Sequence, residues 1–277
     1  MKGKELIKLE HLSILKINGK GSFELLQGQI TSDMEKVSED NCVMGSICDI
    51  KGRVMSSFIA AKNEKENHSF FLVGETKALE ATQIILEKYK PFYDCSLKQK
   101  EDIKFYAIDE DCLIRNFPES NLEISFQNYD SFFRLHYLEK KYHLVAFTES
   151  EEFKGYNISN DKLPWELDEI INQNFEITSE VINKFTPHEL GYHLNTRIDF
   201  EKGCYTGQEI VARMHYRAKK LPEILVKSTN KEVEDLTKVY DKDNKVVGLI
   251  LSCTKTDSNY HCLLSMNKNY SGQDLDF

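Results

Sequence analysis

The segment with the clearest potential for chemistry is Lys202-Gly203-Cys204-Tyr205-Thr206-Gly207-Gln208-Glu209. Thr206 and Glu209 form the pattern T-x-x-E, in which a hydroxyl and a carboxylate satisfy free backbone N–H groups at a helix start. A helix is therefore predicted to begin at Gly207. Cys204 then lies just outside the positive end of a helix dipole and close in sequence to the ammonium of Lys202. Both charges favour thiolate over thiol, so Cys204 is our best candidate for a nucleophile, a redox group or a soft metal ligand.

A packed thiol is the alternative for Cys204, because free cysteine is often a small buried side chain beside a glycine. No catalytic base is assigned by spacing, since nearby histidines are more often surface or core residues. These histidines are His188, His193 and His215. The seven cysteines are scattered and form no C-x-x-C pair, so we expect free thiols in a reducing compartment and no metal site.

Basic side chains gather in and after the same segment. Between residues 202 and 220, five Lys or Arg side chains oppose the single acid Glu209, whereas the whole chain carries a net charge of -9. Such a local patch is either a solvated helix face or a contact for nucleic acid, while attraction of nucleic acid to the whole surface is excluded. The basic residues are Lys202, Arg213, Arg217, Lys219 and Lys220.

The length and composition indicate a folded protein. The 277 residues suffice for two or three compact units, and 40% apolar with 29% charged residues excludes a disordered or low-complexity chain. No stretch approaches the roughly 18 apolar residues of a membrane helix. Residues 1–10 mix Lys with Glu and lack the apolar stretch of a secretory signal, so we expect a soluble cytoplasmic protein without membrane contact.

Hydrophobic patterns predict the elements that position these residues. Residues 11–18 alternate apolar and polar side chains, and residues 44–50 and 53–60 form a predicted hairpin around Gly52. Residues 75–90 predict an amphipathic helix, and Pro164 fits the first turn of another. Strand patterns dominate the middle of the chain and return after Pro222. The pattern as a whole predicts an α+β protein.

The segment around Cys204 closely resembles the signature of the folate-binding YgfZ family, which is related to the glycine cleavage T protein. Four other blocks resemble that family in the expected order and extend the likeness over about residues 10–222. They are L-Q-G-Q-I-T-S-D at 26–33, C-D-I-K-G-R at 48–53, F-T-P-H at 185–188 and R-A-K-K at 217–220.

The resemblance implies a glycine-cleavage-T-protein-like α+β fold. Two interlocked α+β subdomains and a C-terminal β-barrel would surround a central cleft that holds tetrahydrofolate. Residues 1–222 would form the folate-binding region, with the second subdomain at roughly 53–150, and residues 223–277 would form the barrel.

The resemblance also implies a function. Family members act in tRNA modification and processing and in the maintenance of iron-sulfur enzymes, including those that thiolate tRNA, and Cys204 matches their functional thiol. The expected partners are therefore folate, iron-sulfur enzymes and tRNA, the last through the basic residues named above. Whether the protein itself turns over a substrate is left open. The other motif residues are Lys202, Gly203, Tyr205, Thr206 and Gly207.

Trp165 matches an aromatic folate contact of the family, and an indole can stack on a flat pterin. Leu12 stands where the best-known member has a second tryptophan, and it offers apolar contact without stacking. Gln208 or Glu209 would bind the amino-pyrimidinone edge, and Arg213 the glutamate tail. Asn172 and Asp168 are alternatives for the edge, and Arg217 is an alternative for the tail.

Two alternative functions remain. A folate-dependent aminomethyltransferase would need a carboxylate where this chain has Ser56 and Ser57, and a hydroxyl supplies neither its charge nor its basicity. The pterin-binding E-A-G segment of the T protein is also replaced, by Ile171-Asn172-Gln173. The other alternative is a non-catalytic adaptor that binds RNA or a protein through the basic segment.

Overall fold

The computed structural model describes residues 5–63, 66–100, 103–129, 132–147, 156–218, 220–257 and 259–270. Within these residues the strands are β1 (Glu5–Lys8), β2 (Leu12–Asn18), β3 (Val43–Cys48), β4 (Val54–Lys62), β5 (Ser69–Glu75), β6 (Ser96–Lys100), β7 (Lys104–Asp109), β8 (Phe126–Asn128), β9 (Phe132–Leu135), β10 (Tyr142–Phe147), β11 (Asn157–Ser159), β12 (Glu223–Thr229), β13 (Lys238–Tyr240), β14 (Val246–Thr256) and β15 (Asn259–Met266). The α-helices are α1 (Ser22–Gln27), α2 (Thr76–Glu87), α3 (Glu110–Asn116), α4 (Leu163–Ile171) and α5 (Gln208–Arg217).

The first sheet is antiparallel, with the strand order β3-β4-β5-β2-β6. Successive side chains of a strand point to opposite faces, and β2 uses both faces. Ile14 enters an apolar cluster shared with the second sheet, whereas Leu15 and Ile17 enter a cluster that contains Leu79 of α2. The strand predicted from the alternating pattern over residues 11–18 is therefore present, but both of its faces are buried.

The second sheet has the order β11-β1-β7-β10-β9-β8. Its strand β1 comes from the beginning of the chain and pairs parallel with β11 and antiparallel with β7. The chain then passes directly into the first sheet at β2. This exchange links the two sheets, and the aromatic rings of Phe71 and Phe133 stack between them at a centroid distance of 5.7 Å.

The C-terminal strands form an antiparallel sheet with the order β12-β15-β14-β13. A closed β-barrel was expected here, and this detail was wrong, because the edge strands β12 and β13 do not pair with each other. The sheet packs against α4 and α5 through Leu251 and Leu263, which share a cluster with Ile170 and Val211. The predicted boundary at residues 222 and 223 stays a prediction.

None of the helices in the described part of the chain combines the length and apolar character that crossing a bilayer requires.

Candidate functional site

The loop that carries Cys204 is fixed by two glycines of separate sequence blocks. Gly207 is the N-cap of α5 and has a φ of 83°, which side chains other than glycine rarely adopt. A Cβ atom on Gly207 would overlap the carbonyl oxygen of Asp49 in the turn between β3 and β4. Gly52 in that turn has a φ of 71°, and a Cβ atom there would lie 3.0 Å from Ile210. The hairpin turn and the start of α5 therefore hold each other in place.

Cys204 itself is exposed. The space around Gly203 is also open, because a Cβ atom built there would meet no heavy atom within 4 Å. The alternative of a packed, space-filling thiol is therefore excluded. The thiol therefore lies on the surface, next to a helix start that packs closely against the β3–β4 turn.

Lys202 has a structural role that the sequence did not indicate. Its side chain is buried, and Nζ donates to the carbonyl oxygens of Gln27 at 2.7 Å, Ile30 at 2.8 Å and Ser32 at 2.9 Å. Burial lowers the pKa of Lys202 to about 8. An ammonium group has three donors, and all three are used here. The prediction of Lys202 as a surface contact for tRNA is therefore wrong, and its ammonium is committed to these three carbonyl groups.

The predicted capping box is also wrong. Helix α5 begins at Gln208 without a side-chain cap, and the Thr206 hydroxyl donates instead to Oε1 of Gln29 at 2.9 Å. Glu209 lies on the surface and pairs with Arg213 at 2.6 Å, one helical turn later. Tyr205 is buried, with its ring centroid 5.4 Å from Nζ of Lys202. Thr206 and Lys202 thus tie the motif to the loop after α1.

The remaining predicted basic residues lie on the surface around the end of α5. Arg213, Arg217 and Lys220 are exposed, and Lys220 donates to Oδ1 of Asn269 at 2.6 Å. Lys219 lies outside the described residues. This surface is the part of the predicted basic patch that a large partner can reach.

Trp165 borders a cavity of about 480 Å³ that we call the indole cavity. The ring is 4% exposed, and the Nζ atom of Lys140 lies 3.3 Å from its centroid. Lys140 also pairs with Glu169, which lines the cavity. The cation covers one face of the indole, so a ligand in the cavity contacts the ring at its other face or its edge.

Acidic side chains dominate the polar part of the indole cavity. Glu169 accepts a hydrogen bond from Asn174, whose Oδ1 accepts from Arg197 at 2.9 Å. Burial and the neighbouring carboxylate of Glu169 raise the pKa of Glu176 to about 7. Lys162 contributes a cation to the lining. The cavity thus combines an aromatic surface, the ammonium group of Lys162 and five carboxylates, which belong to Glu75, Glu166, Glu169, Glu176 and Asp235.

The other predicted folate contacts do not meet Trp165 at this cavity. Leu12 packs in the same apolar cluster as Trp165 but lines a different cavity, of about 310 Å³. Its neighbour His11 lines the indole cavity instead. The indole cavity is lined by none of Cys204, Gln208, Glu209 and Arg213.

The alternative polar contacts are used within the fold. The carboxylate of Asp168 accepts from the backbone N–H groups of Lys141 at 3.2 Å and Tyr142 at 3.1 Å. The Asn172 amide donates to Asp168 at 3.1 Å, and Ile171 is 58% exposed. The sequence did not point to Glu176, because the residue that matches the pterin-binding glutamate of the T protein is Ile171. Only the tertiary structure brings Glu176 to the cavity.

A second and larger cavity, of about 780 Å³, lies between residues 32–44, 122–138 and 193–216. We call it the aromatic cleft, because His193, Phe200, His215 and Tyr216 line one side. His188 lies behind it, buried, with its ring centroid 4.8 Å from that of His193. No group of three His, Cys, Asp or Glu side chains with metal-binding geometry occurs in the described parts of the chain.

The serines that replace the acidic pair of the T protein are buried on β4. The Ser56 hydroxyl contacts that of Thr82, and the Ser57 hydroxyl accepts from the Ile177 N–H at 2.8 Å. Both hydroxyl groups therefore join the first sheet to neighbouring segments, and neither supplies a carboxylate.

Comparisons with known proteins support the family resemblance. A protein of Colwellia psychrerythraea named tRNA-modifying protein YgfZ is 30% identical over 229 residues, which cover 77% of this chain and 68% of the relative. The Aliivibrio fischeri protein of the same name is 26% identical over 216 residues, with coverages of 76% and 66%. An uncharacterized Haemophilus influenzae protein is 26% identical over 275 residues, or 97% of this chain and 91% of that protein. No protein-family model matches the sequence.

A solved structure shows the same fold. The crystal structure of the glycine cleavage system aminomethyltransferase T from Bartonella henselae superposes with a TM-score of 0.70 over 95% of this chain and 78% of that one, at 13% identity. The T-protein-like fold class predicted from the sequence is confirmed.

Proposed function

Because the chain belongs to the YgfZ family, we propose that it acts in tRNA modification as a tetrahydrofolate-binding protein with Cys204 as its functional thiol. The observation that carries the folate proposal is the indole cavity, whose groups match the parts of a folate. Its partners would be tRNA and the iron-sulfur enzymes that thiolate tRNA, in the cytoplasm.

The residues of the indole cavity fit tetrahydrofolate in size and in chemistry. A volume of about 480 Å³ lies in the range of small-molecule sites. Trp165 would contact the flat pterin, and the carboxylates of Glu169 and Glu176 would accept hydrogen bonds from its amino-pyrimidinone edge. Lys162 would pair with the negatively charged glutamate tail at the cavity mouth, because the five carboxylates of the lining would repel that tail from the interior. When bound, the folate would supply one-carbon or redox chemistry.

Cys204 would act on a large partner rather than on the folate. Its thiol is exposed and lies on the loop before α5, whereas the indole cavity is lined by other residues. The anchored glycines hold the thiol at a constant position relative to the basic end of α5. An arrangement of this kind suits a thiol that meets a docked tRNA or enzyme, with the folate bound elsewhere in the same protein.

Two binding experiments test the folate part of the proposal. Tetrahydrofolate should quench the fluorescence of Trp165, the only tryptophan, because it would bind against that ring. Calorimetry with Trp165→Phe should still detect binding, weakened by the smaller ring. Absence of heat and of quenching at millimolar folate would rule out the cofactor.

The thiol is tested in a strain that lacks its own family member and is deficient in tRNA thiolation. Cys204→Ser should fail to restore thiolation, and Cys95→Ser, which changes a partly buried cysteine, should restore it. Equal restoration by both variants would remove Cys204 from the mechanism.

One observation favours the aminomethyltransferase as a second candidate. A carboxyl group with a pKa near 7 is suited to general acid-base work at neutral pH, and Glu176 is such a group in the indole cavity. Glu176 could hold or release a proton at a folate nitrogen and so replace the carboxylate that Ser56 and Ser57 lack. Glycine cleavage with a lipoylated carrier protein tests this function, and activity that is lost in Glu176→Gln would establish it.

A further inference from the structure

The aromatic cleft presents one ring to solvent and supports it with two others. Phe200 and His215 stack with ring centroids 3.8 Å apart and an interplanar angle of 20°. Tyr216 makes T-shaped contacts with both rings, at 6.0 Å from Phe200 and 4.9 Å from His215. Tyr216 is nevertheless 67% exposed. The ring of Tyr216 is thus fixed by two aromatic contacts and remains accessible to solvent at the edge of the cavity.

The rest of the cleft suits a flat heterocycle. Leu194, which is 61% exposed, and Leu138 add apolar contact. The exposed carboxylates of Glu123 and Glu201 provide hydrogen-bond acceptors on the lining. The volume of about 780 Å³ admits a nucleoside.

The lining of the aromatic cleft is mainly acidic, whereas the neighbouring surface at the end of α5, which we call the rim, is basic. The lining includes four acids and a single lysine, and the lysine, Lys36, is paired with Asp199 at 2.5 Å. The four acids are Asp33, Glu123, Asp199 and Glu201. The exposed cations Arg213, Arg217 and Lys220 lie on or just after α5, the helix that contributes Tyr216. Arg213 is paired with Glu209 at 2.6 Å, but both side chains are exposed, and an ion pair in water is weak enough for a phosphate to compete with it. A phosphate would be repelled from the cleft and attracted to this rim, whereas the amino groups of a base would find acceptors inside.

We infer that the aromatic cleft binds an unpaired base of single-stranded RNA, with Tyr216 as the stacking surface and the sugar-phosphate backbone along Arg213 and Arg217. The inference rests on the proposed contact with tRNA and adds the site and the conformation of the bound RNA. In a duplex the base faces are covered by neighbouring pairs, so only a loop or an unpaired segment can present a base in this way.

The test uses fluorescence anisotropy with a labelled ten-nucleotide oligoadenylate, the same strand paired with oligouridylate, and an unmodified tRNA. Wild-type protein should bind the single strand and the tRNA more tightly than the duplex. Tyr216→Ala should weaken single-strand binding by about 5- to 100-fold, because stacking on one ring is lost. Tyr216→Phe, which keeps the ring, should bind within about twofold of wild type.

Two controls separate stacking from phosphate contacts. Tyr240→Ala removes another exposed tyrosine, on β13 of the C-terminal sheet, and should leave the affinity unchanged. Arg217→Gln should reduce the slope of log affinity against log salt by about 0.7, the value for one phosphate of a single strand, whereas Tyr216→Ala should leave the slope intact.

Equal affinity of wild type and Tyr216→Ala for the single strand would overturn the inference, as would equal affinity of the wild type for single strand and duplex. Neither result would affect the folate proposal, which Trp165 quenching tests in the same samples. Absence of any RNA binding at low salt would overturn both this inference and the proposed tRNA contact, again without bearing on folate.

Discussion

Gly207 lies so close to the carbonyl oxygen of Asp49 that a Cβ atom at this position would overlap it. This contact joins two segments that are more than 150 residues apart in sequence and both belong to the blocks that resemble the YgfZ family. It fixes the start of α5 and therefore the position of Cys204. The glycine is required both for its left-handed φ and for the missing side chain.

We expect Gly207→Ala to destabilise the protein by about 2 kcal/mol or more, because a positive φ costs an L-residue about 1 kcal/mol and the overlap with Asp49 adds to it. Urea unfolding followed by circular dichroism measures the loss. Gly203→Ala is the matched control, since its added methyl group meets open space, and it should change the free energy of unfolding by less than about 0.5 kcal/mol. Equal effects of the two substitutions would contradict the anchoring role of Gly207.

Lys202 should matter for stability rather than for RNA binding. Lys202→Met removes three hydrogen bonds from a charged donor and leaves the carbonyl oxygens of Gln27, Ile30 and Ser32 without this partner, so we expect a loss of about 2 to 4 kcal/mol. Lys51→Met, at an exposed position of the hairpin turn, is the control and should be nearly neutral. A Lys202→Met protein of full stability with weakened tRNA binding would restore the surface interpretation.

The protein should lose stability as the pH falls from about 6.5 to about 4. Burial, together with His193 and His215, lowers the pKa of His188 to about 4, and burial with Lys162 lowers that of His11 to about 4. In this range the unfolded chain binds protons at both histidines that the folded protein does not, so protonation favours unfolding. Burial also lowers the pKa of His143 to about 3, which adds to this loss, whereas the raised pKa of Glu176, about 7, offsets part of it because the folded protein binds that proton more readily. Urea midpoints at pH 7.5, 6 and 5 measure the effect.

His188→Leu should flatten this pH dependence. Both ring nitrogens of the buried imidazole have no hydrogen-bond partner within the described structure, so an apolar side chain of similar size should cost little at pH 7.5. His68→Gln, at an exposed position, should keep the wild-type slope. If His188→Leu retains the full pH dependence, His188 is not one of the groups responsible for it.

Local patterns predicted much of the fold. The alternation over residues 11–18 corresponds to β2, the helical spacing over 75–90 to α2, and the position of Pro164 to the first turn of α4. Long-range pairing could not be predicted in this way. Strand β1 has only four residues, and its place between β7 and β11 depends on partners about 100 and 150 residues later.

The candidate site was predictable where a residue acts through its neighbours in sequence. The T-x-x-E pattern placed Cys204 just before a helix start, and the structure has that loop and helix, although Thr206 and Glu209 do not form the capping box. Lys202 belongs to a basic segment and was therefore interpreted as a surface residue. Its burial could not be predicted, because the carbonyl groups that bind its ammonium lie about 170 residues earlier in the chain. Glu176 and Tyr216 acquire their roles only from cavities formed by several segments, which spacing does not encode.

The affinity for tetrahydrofolate should rise between pH 6 and pH 8, because Glu176 has a pKa of about 7 and a carboxylate accepts hydrogen bonds from the pterin edge better than a carboxylic acid does. The expected change is about tenfold at most, since one proton is linked to binding. Glu176→Gln should bind with an affinity near that of wild type at pH 6 and should show no rise, because its amide does not ionise. Trp165 quenching at each pH measures both proteins, and Glu166→Gln, at an exposed carboxylate on the same cavity, is the control. A parallel rise in wild type and Glu176→Gln would assign the linked proton to another group and remove Glu176 from pterin recognition.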